Sequence, residues 1–196
     1  METKEEKQLK LDKRYIRMAS IWAENSYCER RQVGALIVKD KMIISDGYNG
    51  TPAGFENVCE DENNVTKPYV LHAEANAITK IARSNNSSNG ATMYVTASPC
   101  IECSKLIIQA GIKRVVYSEK YRLEDGIELL KRAGIEVVFI SMDNEKLKME
   151  NKSREDSLQN AKQCLPDCFC LCKSCCLNVG ENLVFSRSCA IVYTKL

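Results

Sequence analysis

Histidine is almost absent from this chain: His72 is the single one in 196 residues. A site built on two imidazoles is therefore excluded, and any metal must be held by His72 together with thiolates or carboxylates. Long apolar runs are also missing. No stretch reaches the roughly eighteen residues that a membrane-spanning helix needs. Nor is there an excess of either charge. With 28 Lys+Arg against 26 Asp+Glu the net charge is +2, which argues against a broad basic footprint and hence against a nucleic-acid partner. The opening residues, Met1 to Lys7, are mostly charged and lack the apolar stretch of a secretory signal, so a cytoplasmic location and no membrane association are expected. Cysteine alone is abundant, with eleven residues. A secreted disulfide scaffold is usually shorter and carries a signal. The length suits one compact domain with an appendage.

Periodicity divides the chain. Leu11, Tyr15, Met18, Ala19 and Trp22 recur at helical spacing over residues 11–24, which predicts an amphipathic helix lying on a core. Residues 33–38 and 42–44 flank a polar turn and read as a β-hairpin buried on both faces. Residues 47–54 are rich in Gly and Pro and predict a shaped loop; 55–69 read as an irregular acidic connection. An alternation follows: helix 72–83, strand 92–96, helix 100–110, strand 114–117, helix 123–133, strand 136–140. Short links between these elements imply parallel pairing and right-handed crossovers. The expected architecture is α/β, a three-layer α/β/α domain over residues 10–142 with a mixed five-stranded sheet. Beyond it lie a polar stretch, 143–163, and a Cys-rich tail, 164–189, holding seven of the eleven cysteines.

Two short segments carry chemistry: His72-Ala73-Glu74 and Ser98-Pro99-Cys100-Ile101-Glu102-Cys103. Each opens a predicted helix. Cys100 and Cys103, three residues apart, share one side of a first helical turn, where the positive end of the helix dipole favours thiolates. One imidazole and two thiolates make three zinc ligands and leave a fourth tetrahedral position for water. Glu74, two residues beyond His72, is placed to take a proton from that water without binding the metal. Taken singly the motifs are weaker: a Cys-x-x-Cys also serves as a redox pair or half of a structural zinc knuckle, and a lone histidine is often a core residue. Together they match the H-x-E and P-C-x-x-C signature of zinc-dependent nucleobase deaminases.

The chain resembles the cytidine and deoxycytidylate deaminase superfamily, on its deoxycytidylate branch. The resemblance runs from about residue 10 to 142 and rests on Val33 to Val38, Gly47 to Gly54, His72 to Ile78, Ser98 to Cys103 and Val115 to Arg122. It implies a cytidine deaminase-like fold and one catalytic Zn2+ held by His72, Cys100 and Cys103, with Glu74 as proton shuttle. The implied reaction is hydrolytic deamination of dCMP to dUMP and ammonia, supplying dUMP for thymidylate synthesis. Backbone groups at Ala73 and Ser98 would meet the base edge, Asn49 the sugar and Tyr121 the substrate; for Asn49, ordinary Asn-Gly turn chemistry is the plainer alternative. Arg30, Arg31, Arg83 and Lys113 are candidate phosphate donors, although Arg30-Arg31 also reads as a solvated pair.

The same resemblance implies a homo-oligomer, commonly a hexamer, activated by dCTP and inhibited by dTTP. Tyr48, Gly50 and Arg83 belong to the implied effector site, with Mg2+ accompanying a triphosphate. Competing readings are a deaminase of another cytosine nucleoside or nucleotide, a non-catalytic nucleotide-binding regulator, and a thiol-rich metal-handling protein working through its tail. Glu74 disfavours the regulator, because binding alone needs no proton shuttle. Cys28 and Cys59 stand where some relatives hold a second, structural zinc; with no second histidine here, they are expected as two thiols. The tail matches no ordered pair of zinc knuckles, and its role stays open.

Overall fold

The computed structural model describes residues 2–121 and 123–142. The polar stretch and the Cys-rich tail lie outside the described residues. Helix α1 (Lys4–Ala23) starts at a capping box, in which Thr3 Oγ1 accepts from the Glu6 amide at 3.1 Å and Glu6 Oε2 accepts from the Thr3 amide at 2.9 Å. This box carries the helix well upstream of residue 11, where its apolar periodicity begins. Five strands follow in one sheet: β1 (Gly34–Lys39), β2 (Met42–Tyr48), β3 (Thr92–Ala97), β4 (Arg114–Glu119) and β5 (Glu136–Phe139). Their spatial order is β2-β1-β3-β4-β5. β1 is antiparallel to both its neighbours, whereas β3, β4 and β5 run parallel, so the sheet is mixed as expected. Helices α2 (Ala73–Ala82), α3 (Ile101–Gln109) and α4 (Asp125–Arg132) complete the domain.

The layers are unequal. Among the described helices only α1 packs on one face, with Ile16 and Ala19 against Leu36, Val38, Tyr94 and Val116. Ala77, Ile107, Ile127 and Leu130, from the other three helices, cover the opposite face against Ala35, Ile37, Met93, Val95 and Val115. Alternate residues of β1 and β3 thus serve both cores, which accounts for their unbroken apolar runs.

Three expectations are corrected. The hairpin is buried on both faces only along β1; β2 is an edge strand, with Met42 63% and Ile43 40% exposed. Gly47 and Tyr48 belong to β2 rather than to a loop. Gly47 is there for close approach, since a Cβ on it would collide with the Ala73 carbonyl and the Ala77 amide of α2. The buried face of α1 is Asp12, Ile16, Ala19 and Ala23, while Met18 and Trp22 face outward. An acid sits on the core side because Arg114 reaches it, which apolar periodicity alone cannot show.

Antiparallel β1 brings its entry, the exit of β2 and the C-terminal ends of β3 and β4 to one end of the sheet. The N-termini of α2 and α3 open at the same end, outside the carboxyl ends of parallel strands, where open α/β sheets bind ligands.

Candidate active site

His72 and Cys100 are the N-cap residues of α2 and α3, both in extended backbone and neither giving its helix a side-chain cap. The His72 Nδ1 atom lies 3.5 Å from Cys100 Sγ and 3.4 Å from Cys103 Sγ, and the three ligand atoms all fall within 4.8 Å of one another. Bonds of about 2.1 Å to nitrogen and 2.3 Å to sulfur, at a tetrahedral angle, put N and S about 3.6 Å apart. The trio therefore fits a zinc ion, and its thiolates suit a soft, borderline metal. Among the described residues it is the one His/Cys/Asp/Glu group of this kind.

The electrostatics of the trio are those of a proton-sharing cluster. Hydrogen bonds from Cys103 and then His72 hold the Cys100 thiol down to about 3. The bond to Cys100, with burial, pushes Cys103 up, and the bond to Cys100 also raises His72. Metal binding displaces these shared protons, since thiolate and neutral imidazole are the binding forms. Glu74 is 4% exposed, and burial raises its carboxyl above the ordinary range against smaller opposing effects of its own backbone amide and His72. A buried carboxyl whose hold on a proton is strengthened in this way is suited to general acid–base work.

His72, Glu74 and Cys100 line a cavity of about 390 Å³, within the roughly 300–1,000 Å³ usual for small-molecule sites. Its buried lining includes Ala73, Glu74 and Ser98; Arg30, Lys120 and Tyr121 line it on the exposed side. Ala73, Ser98, Asn49, Tyr121 and Arg30 line this cavity together with His72, Glu74 and Cys100. Asn49 is not merely a turn residue. Its Oδ1 accepts from the Val33 amide at 2.7 Å and its Nδ2 donates to the Arg31 carbonyl at 2.8 Å, bracing the entry to β1 beside the cavity.

Tyr48, Gly50 and Arg83 do not line the cavity. The Tyr48 carbonyl accepts from Asn76 Nδ2, Gly50 forms a bridge with Leu71, and Arg83 is the exposed C-cap of α2, at the far end from His72. Lys113 is placed just before β4, at the opposite end of the sheet from the cavity, so it is no donor to a ligand there.

Cys28 and Cys59 are joined in a disulfide, which corrects the expectation of two thiols. They lie 31 positions apart, and the folding of 55–69 against the entry to β1 brings them together. Glu119 and Gly126 were missed from sequence. Arg31 and Glu119 pair at 2.7 Å beside Tyr121. Gly126, in the first turn of α4, packs so closely behind Pro99 and Cys100 that a Cβ would strike the Pro99 carbonyl. A glycine inside a predicted helix was the available signal for that contact.

Residues 9–119 match the family described as the cytidine and deoxycytidylate deaminase zinc-binding region. Deoxycytidylate deaminase of Enterobacteria phage T4 is 37% identical over 180 residues, a match covering 69% of this chain and 93% of the phage protein. The Saccharomyces cerevisiae deoxycytidylate deaminase is 38% identical over 144 residues, 68% of this chain but 46% of the yeast protein, so the chain spans about half of that relative's length. Among solved structures, dCMP deaminase from the cyanophage S-TIM5 in complex with dCMP and dUMP superposes with a TM-score of 0.66 at 45% identity. That match covers 67% of this chain and 97% of the cyanophage protein.

Proposed function

The chain belongs to the cytidine and deoxycytidylate deaminase zinc-binding family, and from that premise we propose that it converts dCMP and water to dUMP and ammonia. The observation that carries the reading is the closely spaced His72–Cys100–Cys103 trio beside a cavity that His72, Cys100 and the buried Glu74 line together. His72, Cys100 and Cys103 are the residues that would hold zinc. When bound, the ion is a Lewis acid that lowers the pKa of its water from about 15.7 to about 7.

The protein's own groups then divide the work. Glu74 takes a proton from the attacking water and passes it to N3 of the cytosine ring, while oxygen bonds to C4. Glu74 next takes the remaining proton from the oxygen now on C4 and delivers it to the amine, and the C–N bond breaks to release ammonia and leave a C4 carbonyl. Negative charge built up on the way is offset by the N-termini of α2 and α3, whose first amides have no side-chain cap. Ala73 and Ser98 present backbone to the base edge, Asn49 and Tyr121 contact the substrate, and Arg30 faces its 5′-phosphate. The guanidinium of Arg30 touches Thr66 Oγ1 at 3.2 Å and has no carboxylate partner among the described residues, which leaves its charge available.

Tyr48, Gly50 and Arg83 are assigned to an effector site outside the cavity, where dCTP with Mg2+ activates and dTTP inhibits a hexameric, cytoplasmic enzyme. The resemblance to the family supports this part, and unchanged dCMP saturation curves on adding either triphosphate would remove it. No helix of the described residues is long and apolar enough to cross a membrane. The substrate itself is tested by incubating zinc-loaded protein with dCMP, deoxycytidine and dCTP and following ammonia. The expected order places dCMP first; a preference for deoxycytidine sinks the nucleotide assignment.

A further inference from the structure

Four contacts close a ring beside the cavity. Arg31 Nη2 donates to Glu119 Oε2 at 2.7 Å, and the same guanidinium stands over the Tyr121 ring, 5.8 Å from its centroid. The Tyr121 amide donates to Ser98 Oγ at 2.7 Å. The Ser98 amide donates to the Glu119 carbonyl at 2.8 Å. The ring joins three segments distant in sequence: the entry to β1, the turn from β3 into α3 that carries Cys100, and the residues leaving β4. Asn49 secures Arg31 from behind through its carbonyl.

We propose that Arg31 and Glu119 form a strap whose work is to position Tyr121 and the Ser98 turn for the substrate. Both are positioning residues, and neither is a phosphate ligand. The inference rests on the deaminase reading above for its substrates, but the ring itself does not. Arg31 spends its charge on Glu119 and its planar face on Tyr121, a double engagement that the guanidinium fork allows and an ammonium does not. Arg30, one residue earlier, has only a hydroxyl at its tip, so the two adjacent arginines divide the tasks of binding and bracing.

The test is a double-mutant cycle on the full, metal-loaded chain: Arg31→Gln, Glu119→Gln and the pair, with kcat/KM measured for dCMP and for deoxycytidine. Each single variant is expected to lower both substrates alike, by about tenfold, the combined worth of an exposed ion pair and a cation–π contact. The double variant should fall no further than either single one. Arg31→Lys should recover part of the loss, keeping the charge but not the stacking. A fall confined to dCMP would make Arg31 a phosphate ligand and overturn the strap, as would additive losses. The same cycle read by thermal unfolding needs no turnover: the double variant should melt with the singles, and additive or absent shifts overturn the proposal. If the unaltered chain deaminates neither compound, the functional reading fails while the unfolding cycle still decides the strap.

Discussion

Asp12 and Glu74 are both carboxylates in helices, both buried, at 2% and 4% exposure, and they lie on opposite faces of the same sheet. Their surroundings differ in kind. Asp12 accepts two bonds from Arg114, each at 2.8 Å, one from the Tyr94 hydroxyl at 2.7 Å and one from Gln8 at 2.8 Å. Burial pushes its carboxyl up, yet these donors outweigh burial and hold it below the ordinary value. Glu74 has the same burial without such a set of donors, and it stays above the ordinary range. A buried acid saturated with donors is fixed as an anion and ties helix to sheet. One left short of them takes up a proton more readily, which is what a catalytic acid–base group requires.

The comparison is broken most forcefully at Asp12. Asp12→Ala should cost about 3 kcal/mol of unfolding free energy, measured by urea denaturation. That is the lower end for a broken buried pair, because Glu136 still holds Arg114 Nε at 2.9 Å. The rate per folded molecule should barely change, since nothing of the cavity lies on that face; a large loss of rate would show the two carboxylates to be coupled.

Gly126→Ala perturbs the other side. Its Cβ has no room beside Pro99 and Cys100, so about 1–3 kcal/mol of overpacking is expected. Here kcat and zinc retention should fall together, because the displaced peptide carries Cys100, one of the three proposed zinc ligands. Unaltered zinc content with full activity would mean that α4 yields instead.

The smallest effect sharpens the sign of the difference. A carboxyl held below its unfolded value of about 3.8 contributes stability above that pH and loses it as the pH falls toward the depressed folded value. The stability gap between the unaltered chain and Asp12→Asn, measured by denaturant titration, should therefore be full at pH 7 and narrow at about pH 3. A gap constant across that range would mean that Asp12 is not held as an anion.

These two carboxylates also mark what the sequence can disclose. The surroundings of Glu74 were legible because they are local: His72 and Glu74 sit two residues apart, Cys100 and Cys103 three, and each pair opens a helix. The parallel half of the sheet was legible for the same reason, as short strands and helices alternate with short links. Asp12 was not, since its decisive partner, Arg114, lies 102 residues away and the apolar pattern of α1 passes over an acid on the core face. Gly47 read as loop because a glycine required by the backbone of α2 is indistinguishable, in sequence, from one required by a turn. Cys28 and Cys59, and Arg31 and Glu119, are likewise pairs that only the assembled sheet brings together.

The central claim, that Glu74 moves protons for a metal held by its neighbours, is tested most directly by Glu74→Gln. Ammonia release from dCMP and bound zinc should be measured on the same sample. Full zinc content with at least about a hundredfold loss of rate is expected. Activity close to that of the unaltered chain, with zinc in place, would contradict it.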